Sequence, residues 1–330
     1  MAWPSSGYTL GDDAQEAELA RATWAAVAGA VGAFEPVTMV VEPAAAADAA
    51  RHLGPAVDVL HAPLDDAWMR DIGPTFVLDE RGRLCAIDWV FNGWGAQEWA
   101  SWSLDARIAE TVAASAGARV ISSPMVNEGG ALHVDGEGTV LVTRTVQLDE
   151  HRNPGWDAAA VEAELARTLG VERVIWLPRG LTRDYDEYGT RGHVDVVAAF
   201  ASPGTVLVHL QEDPGHPDHA ATREIAELLR SETDARGRRL QVIEVPAPRA
   251  THDDSGPVDY SYVNHSVVNG GVVLCGFGEP EADARAAAII GAAYPGRRVE
   301  LVDARPLFAR GGGIHCITQQ QPATPPLEGV

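Results

Sequence analysis

Cys316 stands in the run GGGIHCITQQQP (residues 311–322), behind three consecutive glycines, in a chain whose only other cysteines are Cys85 and Cys275. A thiolate is a potent nucleophile, and glycines such as Gly312 and Gly313 let a small substrate come close to the backbone. Taken alone, the run reads more plainly as a buried free cysteine in a glycine-rich turn. Three further segments change that balance. Gly192-His193-Val194-Asp195 sets a histidine and a carboxylate two residues apart, so on a strand both would project from one face. WMRDIGP (68–74) holds Asp71 ahead of a Gly-Pro turn, and Asn127-Glu128 adds a third acid. Alone, His193 would read as a core histidine and Asp71 as a turn cap. Together they supply an acid/base that works near neutral pH and carboxylates that would repel a thiolate. That combination makes sense where the substrate brings the positive charge. A guanidinium does so with a planar fork of N–H donors that pairs with carboxylates, and its charge would favour the thiolate once bound. Trp68 and Trp94, in polar or glycine-rich loops, are candidate aromatic walls for such a cation.

The elements around these residues repeat. A hairpin over 75–91 turns at Asp79–Gly82 and is followed by a helix near 105–117 and a strand at 119–121. The same order recurs as a hairpin near 131–148, a helix near 157–169 and a strand at 173–176. It recurs again as a hairpin near 193–210, a helix near 218–231 and a strand at 240–245, and then as a hairpin at 261–277, a helix near 280–293 and a strand at 298–302. The N-terminal helix (13–33), the strand 37–41 and a C-terminal strand around Cys316 would form a fifth unit split across the termini. Helix 44–53 and strand 57–60 are then left over as an insertion. We therefore expect an α/β fold of five ββαβ modules around a pseudo-fivefold axis, one domain over residues 1–330. Asp71, Asn127-Glu128, His193 with Asp195, the Ser261–Asn264 segment and Cys316 fall at matching ends of these units, and should meet in a central cavity.

Composition narrows the chemistry further. All 25 basic residues are arginine, which removes Schiff-base, P-loop-lysine and lysine-base mechanisms. The net charge of −22 disfavours nucleic acid and suits a cationic ligand, although it serves solubility equally. No apolar run is long enough to span a membrane and no basic-then-apolar leader opens the chain, so a cytoplasmic protein is expected. Three cysteines without a CxxC pair point away from a disulfide framework and a cysteine-rich zinc site. A His-Asp pair could also hold a metal, but no third ligand of matching softness is apparent, so neither metal nor cofactor is expected.

The segments WMRDIGPTFV (68–77), FNGWG (91–95), NEGGALHVDGEGTVLVT (127–143), GHVD (192–195), SYVN (261–264) and GGGIHCITQQQP (311–322) together resemble the agmatine deiminase family, bacterial-type peptidylarginine deiminases of pentein fold. The resemblance runs in order through nearly the whole chain. It implies Cys316 as nucleophile, His193 as general acid/base, and Asp71 and Asp195 as ligands of the guanidinium nitrogens. The implied reaction passes through a covalent thiouronium and converts agmatine to N-carbamoylputrescine and ammonia, a step toward putrescine, without a cofactor. A homo-oligomer is compatible with this.

Three departures from the family pattern stand out. Family members commonly carry residues upstream of the segment that here begins MAWPS, so an N-terminal piece is expected to be missing. Gly311-Gly312-Gly313 replaces the usual Gly-Gly-Asn, removing a side chain beside the nucleophile. The loop LTRDYDEYGTR (181–191) is longer and more acidic than usual, and is where the distal end of the substrate should be read. Asp186 and Glu187 are the candidates for holding a distal amine, and Glu128 is another. Arg183 or Arg191 could instead hold a carboxylate, which leaves arginine, a guanidino acid or a peptidyl arginine as alternative substrates. Amidino transfer and a non-catalytic guanidino sensor are the remaining readings.

Overall fold

Asn-Gly and Asp-Gly turns and buried β-branched runs build the repeating unit as the sequence requires. The computed structural model describes residues 1–324 apart from 12, 254 and 255; the last stretch of the expected domain, residues 325–330, lies outside the described residues. Four three-stranded sheets occur among the described residues, each made of an antiparallel hairpin and a third strand parallel to the second. They comprise Thr75–Leu78, Leu84–Val90 and Arg119–Val126; Leu132–Val134, Thr139–Thr143 and Arg173–Leu177; Ala198–Ser202, Thr205–Leu210 and Gln241–Pro246; and Ser266–Val268, Gly271–Gly276 and Arg298–Asp303. In each sheet a helix carries the chain from the second strand to the third, as parallel pairing demands. These helices are Ile108–Ser115, Ala158–Leu169, Asp218–Ser231 and Pro280–Ala293.

The central strands carry the core. Thr139–Thr143 and Gly271–Gly276 are buried along their whole length, which explains why they read as continuous apolar runs without alternation. Helix limits follow local chemistry. Asp157 caps Ala158–Leu169 by accepting from the Ala160 N–H at 2.9 Å, and Gly170 ends it in the left-handed conformation (φ 68°) that glycine adopts without penalty.

Two expectations fail at the termini. Helix Ala46–His52 and strand Val57–His61 are no insertion: Val57–His61 pairs in parallel with Val37–Val41, giving a fifth, two-stranded sheet with the same strand–helix–strand order. The N-terminus flanks it, with Trp3 N–H donating to Val40 O at 2.8 Å and Val40 N–H to Met1 O at 2.8 Å. Conversely, the segment at Cys316 is a turn, not a strand, reached from the short helix Arg305–Phe308.

Candidate active site

Each three-stranded sheet is entered through a short turn, and these turns carry the reactive groups other than Cys316, which stands on its own turn near the C-terminus. Asp71 lies in the helical turn Met69–Ile72 before the first sheet, and Glu128 precedes the turn Gly129–Ala131 before the second. His193 and Asp195 lie at the turn Val194–Val196 before the third, and Asn264 stands just ahead of Ser266 in the fourth. His193 and Asp195 therefore do not share a strand face, as their spacing suggested; a tight turn brings them together instead. Backbone contacts lock the turns to each other. Arg70 N–H donates to Cys316 O at 3.0 Å, and Asn264 Nδ2 to Asp195 O at 3.3 Å.

The four residues expected to react do converge, packed closely against the backbone at Gly130. A Cβ added at Gly130 would stand 2.5 Å from His193 Nδ1, 3.0 Å from Asp195 Oδ2 and 3.0 Å from Asp71 Oδ1. Cys316 Sγ lies 3.6 Å from Asp195 Oδ2 and 3.3 Å from Asn264 Nδ2. Two buried atoms at this spot, His193 Nδ1 and Asp195 Oδ1, have no hydrogen-bond partner among the described residues. Unpartnered buried polar atoms are costly, so they mark where a ligand belongs.

Neighbours set the charges. Burial pushes the Cys316 thiol well above its ordinary range, and Asp195 and Asp71 push it the same way. Burial also opposes charge on His193, but Asp71, Glu128 and Asp195 outweigh it and hold the imidazolium up to about 9. Asp71 is raised to about 6 by burial, with Asp195 and Glu128 adding to the effect against His193. Burial would raise Asp195 as well, yet His315, His193 and Arg70 bring it below the usual carboxylate value. The empty site thus favours a neutral thiol beside a protonated histidine.

Several expected ligands turn out to be supports. Glu128 is already engaged: Arg152 Nε donates to both of its oxygens (2.9 and 3.2 Å), and His193 Nε2 lies 3.3 Å from Oε2. Trp94 is no open wall but a clamp, donating from Nε1 to Asp71 Oδ2 at 2.9 Å. It does so from a left-handed backbone (φ 55°) flanked by Gly93 and Gly95, a strained turn that explains the glycines of FNGWG. Trp68 is buried against the nucleophile's turn, where a Cβ at Gly312 would meet its ring at 2.7 Å and Cys316 Sγ at 3.1 Å. A Cβ at Gly313 would stand 2.5 Å from Asn264 Oδ1, so Asn264 fills the room next to the nucleophile.

Asp186 and Glu187 are exposed on the 181–191 loop. The acid of that loop that turns inward is Asp184, which the sequence did not single out. Its carboxylate accepts from Thr190 N (2.7 Å), Thr190 Oγ1 (2.6 Å), Gly192 N (2.7 Å) and His193 N (3.0 Å), fixing the turn that presents His193. His315 and Arg152 are further site residues that sequence reasoning passes over, and Asn264 is given no task by it. For His315 the only available signal is its adjacency to Cys316. A broad cleft of about 1260 Å³, lined in part by Val37, Phe76, Val268 and residues 319–324, contains none of the reactive groups. Among the described residues no helix is long and apolar enough to cross a membrane.

Known proteins match both the sequence and the fold. The profile of the Porphyromonas-type peptidyl-arginine deiminases matches residues 1–322. A Streptomyces coelicolor protein provisionally named an agmatine deiminase is 63% identical over 325 residues, spanning 98% of this chain and 95% of its own. The agmatine deiminase of Stutzerimonas stutzeri is 38% identical over 347 residues, spanning 98% and 92%. The solved structure of an Enterococcus faecalis agmatine deiminase superposes with a TM-score of 0.92 at 31% identity, covering 98% of this chain and 92% of that one. With the profile spanning almost the whole sequence and the fold shared end to end, the chain belongs to the Porphyromonas-type peptidyl-arginine deiminase family.

Proposed function

We propose that this protein is an agmatine deiminase, hydrolysing agmatine to N-carbamoylputrescine and ammonia. The observation that carries the reading is the convergence of His193, Asp71 and Asp195 on the backbone at Gly130, with Cys316 Sγ 3.6 Å from Asp195 Oδ2, and with His193 Nδ1 and Asp195 Oδ1 buried without a partner among the described residues. A planar cation with several N–H donors satisfies both carboxylates at once. Its charge offsets the carboxylates that oppose ionisation of Cys316, so binding and thiolate formation go together.

As the cation binds, the Cys316 thiol gives its proton to solvent; the thiolate then forms a C–S bond to the guanidinium carbon, and the neutral tetrahedral adduct lies between Asp71 and Asp195. The imidazolium of His193 passes its proton to one nitrogen, the C–N bond breaks and ammonia leaves. The now neutral His193, oriented by Glu128, takes a proton from water as its oxygen bonds to the thiouronium carbon. The C–S bond then breaks as the hydroxyl proton of this second adduct passes to the departing sulfur, releasing the ureido product and restoring the thiol beside the reprotonated His193. Every group in this cycle belongs to the protein, substrate or water.

The same reading treats the chain as one domain of five modules about a pseudo-fivefold axis, supported by four three-stranded sheets of like order with matching entry turns, and by the parallel pair Val37–Val41 with Val57–His61 as the fifth. It also places the enzyme in the cytoplasm, in keeping with the free state of Cys85, Cys275 and Cys316. Arg183 is held by Asp253 at 2.9 Å and Pro257 O at 3.3 Å, which favours a substrate without a carboxylate. One observation favours a second reading, a guanidino acid: Arg191 Nε is buried without a partner among the described residues, in the loop next to His193. Ammonia release from agmatine, arginine, short guanidino acids and an arginyl peptide separates these. Agmatine turnover that survives Arg191→Glu supports the first reading, whereas turnover of a guanidino acid that Arg191→Glu abolishes supports the second.

A further inference from the structure

Asp195 is gripped on one side only. His315 Nδ1 stands 2.7 Å from its Oδ2, the same oxygen that lies 3.6 Å from Cys316 Sγ, while Oδ1 is buried and without a partner among the described residues. The backbone N–H of His315 donates to Asn264 Oδ1 at 3.0 Å, and its carbonyl accepts from Arg70 Nε at 3.2 Å, so the residue is fixed at both ends. Its ring stacks on His133 at 5.9 Å (28°), and His133 is itself fixed because its Nδ1 accepts from Phe200 N–H at 3.2 Å.

We propose that His315 is a positioning residue for the reaction: by donating from Nδ1 to Asp195 Oδ2 it sets the carboxylate so that Oδ1 is presented, ionised, to a guanidinium nitrogen. This rests on the guanidinium-binding reading above. A carboxylate on a free χ2 could turn either oxygen toward Cys316, and a misplacement of that size at a reacting centre is enough to slow catalysis strongly. The hydrogen bond also stabilises the ionised form of Asp195. The other charged or titratable groups facing His315 are Arg70, His193, His133 and His265. Of these, His133 and His265 are held neutral by burial, at about 3 and about 4.

The test compares His315→Ala with His315→Asn, whose amide nitrogen replaces the Nδ1 donor. Agmatine binding is measured by calorimetry in a Cys316→Ser background from about pH 5 to about pH 9, with turnover of the parent and of both single variants in parallel. His315→Ala should weaken binding by about tenfold or more and move the acidic limb of binding and of kcat/KM, which Asp71 sets at about 6 in the parent, to higher pH, because burial of Asp195 is then unopposed by the Nδ1 donor and its ionisation joins that of Asp71; His315→Asn should stay within about threefold of the parent with its limb unmoved. Equal affinities and coincident limbs in all three overturn the proposal, as does loss in His315→Asn equal to that in His315→Ala when both unfold at the parent's temperature. A parent that binds agmatine without releasing ammonia overturns the deiminase reading and leaves the binding series to decide His315. A Cys316→Ser protein that does not bind agmatine overturns both. If His315→Ala does not fold, the acidic limb of His315→Gln, which cannot place its amide at the Nδ1 position, decides in its stead.

Discussion

Replacing Asp71 by asparagine sets the fold and the chemistry against each other. Asp71 is buried, accepts from Trp94 Nε1 and Gly130 N, and is held at about 6 where an ordinary aspartate sits at 3.8. Keeping it ionised inside the protein at neutral pH thus costs on the order of 3 kcal/mol, at 1.36 kcal/mol per pKa unit. Because the folded value lies above the unfolded one, this group's contribution to stability is whole below about pH 4 and is lost as pH rises through about 6. The Asp71→Asn substitution removes that cost but turns an amide N–H toward the Trp94 donor, forfeiting about 1 kcal/mol. The variant should therefore melt at or above the parent's temperature at pH ~7.5, with the difference shrinking toward pH ~4.5. Activity should move the opposite way. Losing one partner of a buried charge pair costs ~3–5 kcal/mol, a fall in kcat/KM of roughly a hundred- to several-thousand-fold on agmatine. Ammonia-coupled kinetics and melting curves on the same preparations read both quantities. A fall of less than about tenfold, or a clear drop in melting temperature at pH ~7.5, would refute the carboxylate-clamp argument.

The remaining predictions concern the same charges. The pH profile of kcat/KM should be bell-shaped, rising as Asp71 ionises at about 6 and falling as His193 loses its proton at about 9; a flat profile across pH ~7 to ~10 would remove His193 as the acid. Asp186→Asn and Glu187→Gln, being exposed, should leave kcat/KM within about twofold, whereas Asp184→Asn should lower it by about tenfold or more by loosening the turn at His193. Iodoacetamide, a neutral reagent, should alkylate Cys316 slowly at pH ~7 because the thiol is pushed up, and a cationic haloacetamidine should be much faster; equal rates would mean the thiolate needs no incoming charge.

Reactive side chains with few structural uses are the most legible ones in the sequence. Cys316, His193, Asp71 and Asp195 stand out because they occupy matching points of a repeated unit. Glu128 is legible as a site residue but not in its task, since only the buried Arg152 beside it shows that its charge is already engaged. Asp186 and Glu187 are suggested by residue type, and type does not tell which acid of a loop turns inward; Asp184 does, because four donors surround it. His315 escapes notice because its role depends on a partner 120 positions away. The fifth sheet is hard to assign for a related reason: a parallel pair such as Val37–Val41 with Val57–His61 has no turn chemistry to announce it, unlike the Asn269-Gly270 hairpin.

The charges explain why the site waits for a cation. Four carboxylates, Asp71, Glu128, Asp149 and Asp195, face three cations, Arg152, the imidazolium of His193 and the more distant Arg70. A neutral thiol at Cys316 adds nothing to that negative excess. Ionising it adds a negative charge, in a buried space, next to two carboxylates that already oppose it. A guanidinium bound between Asp71 and Asp195 offsets that excess and brings the electrophilic carbon to the sulfur in the same event. The nucleophile is therefore activated by its own substrate, and a neutral amide or urea of similar shape would meet a thiol. On this argument selectivity for positive charge is exerted at the chemical step as well as at binding, because a ligand without charge leaves both the carboxylates and the sulfur in the wrong state.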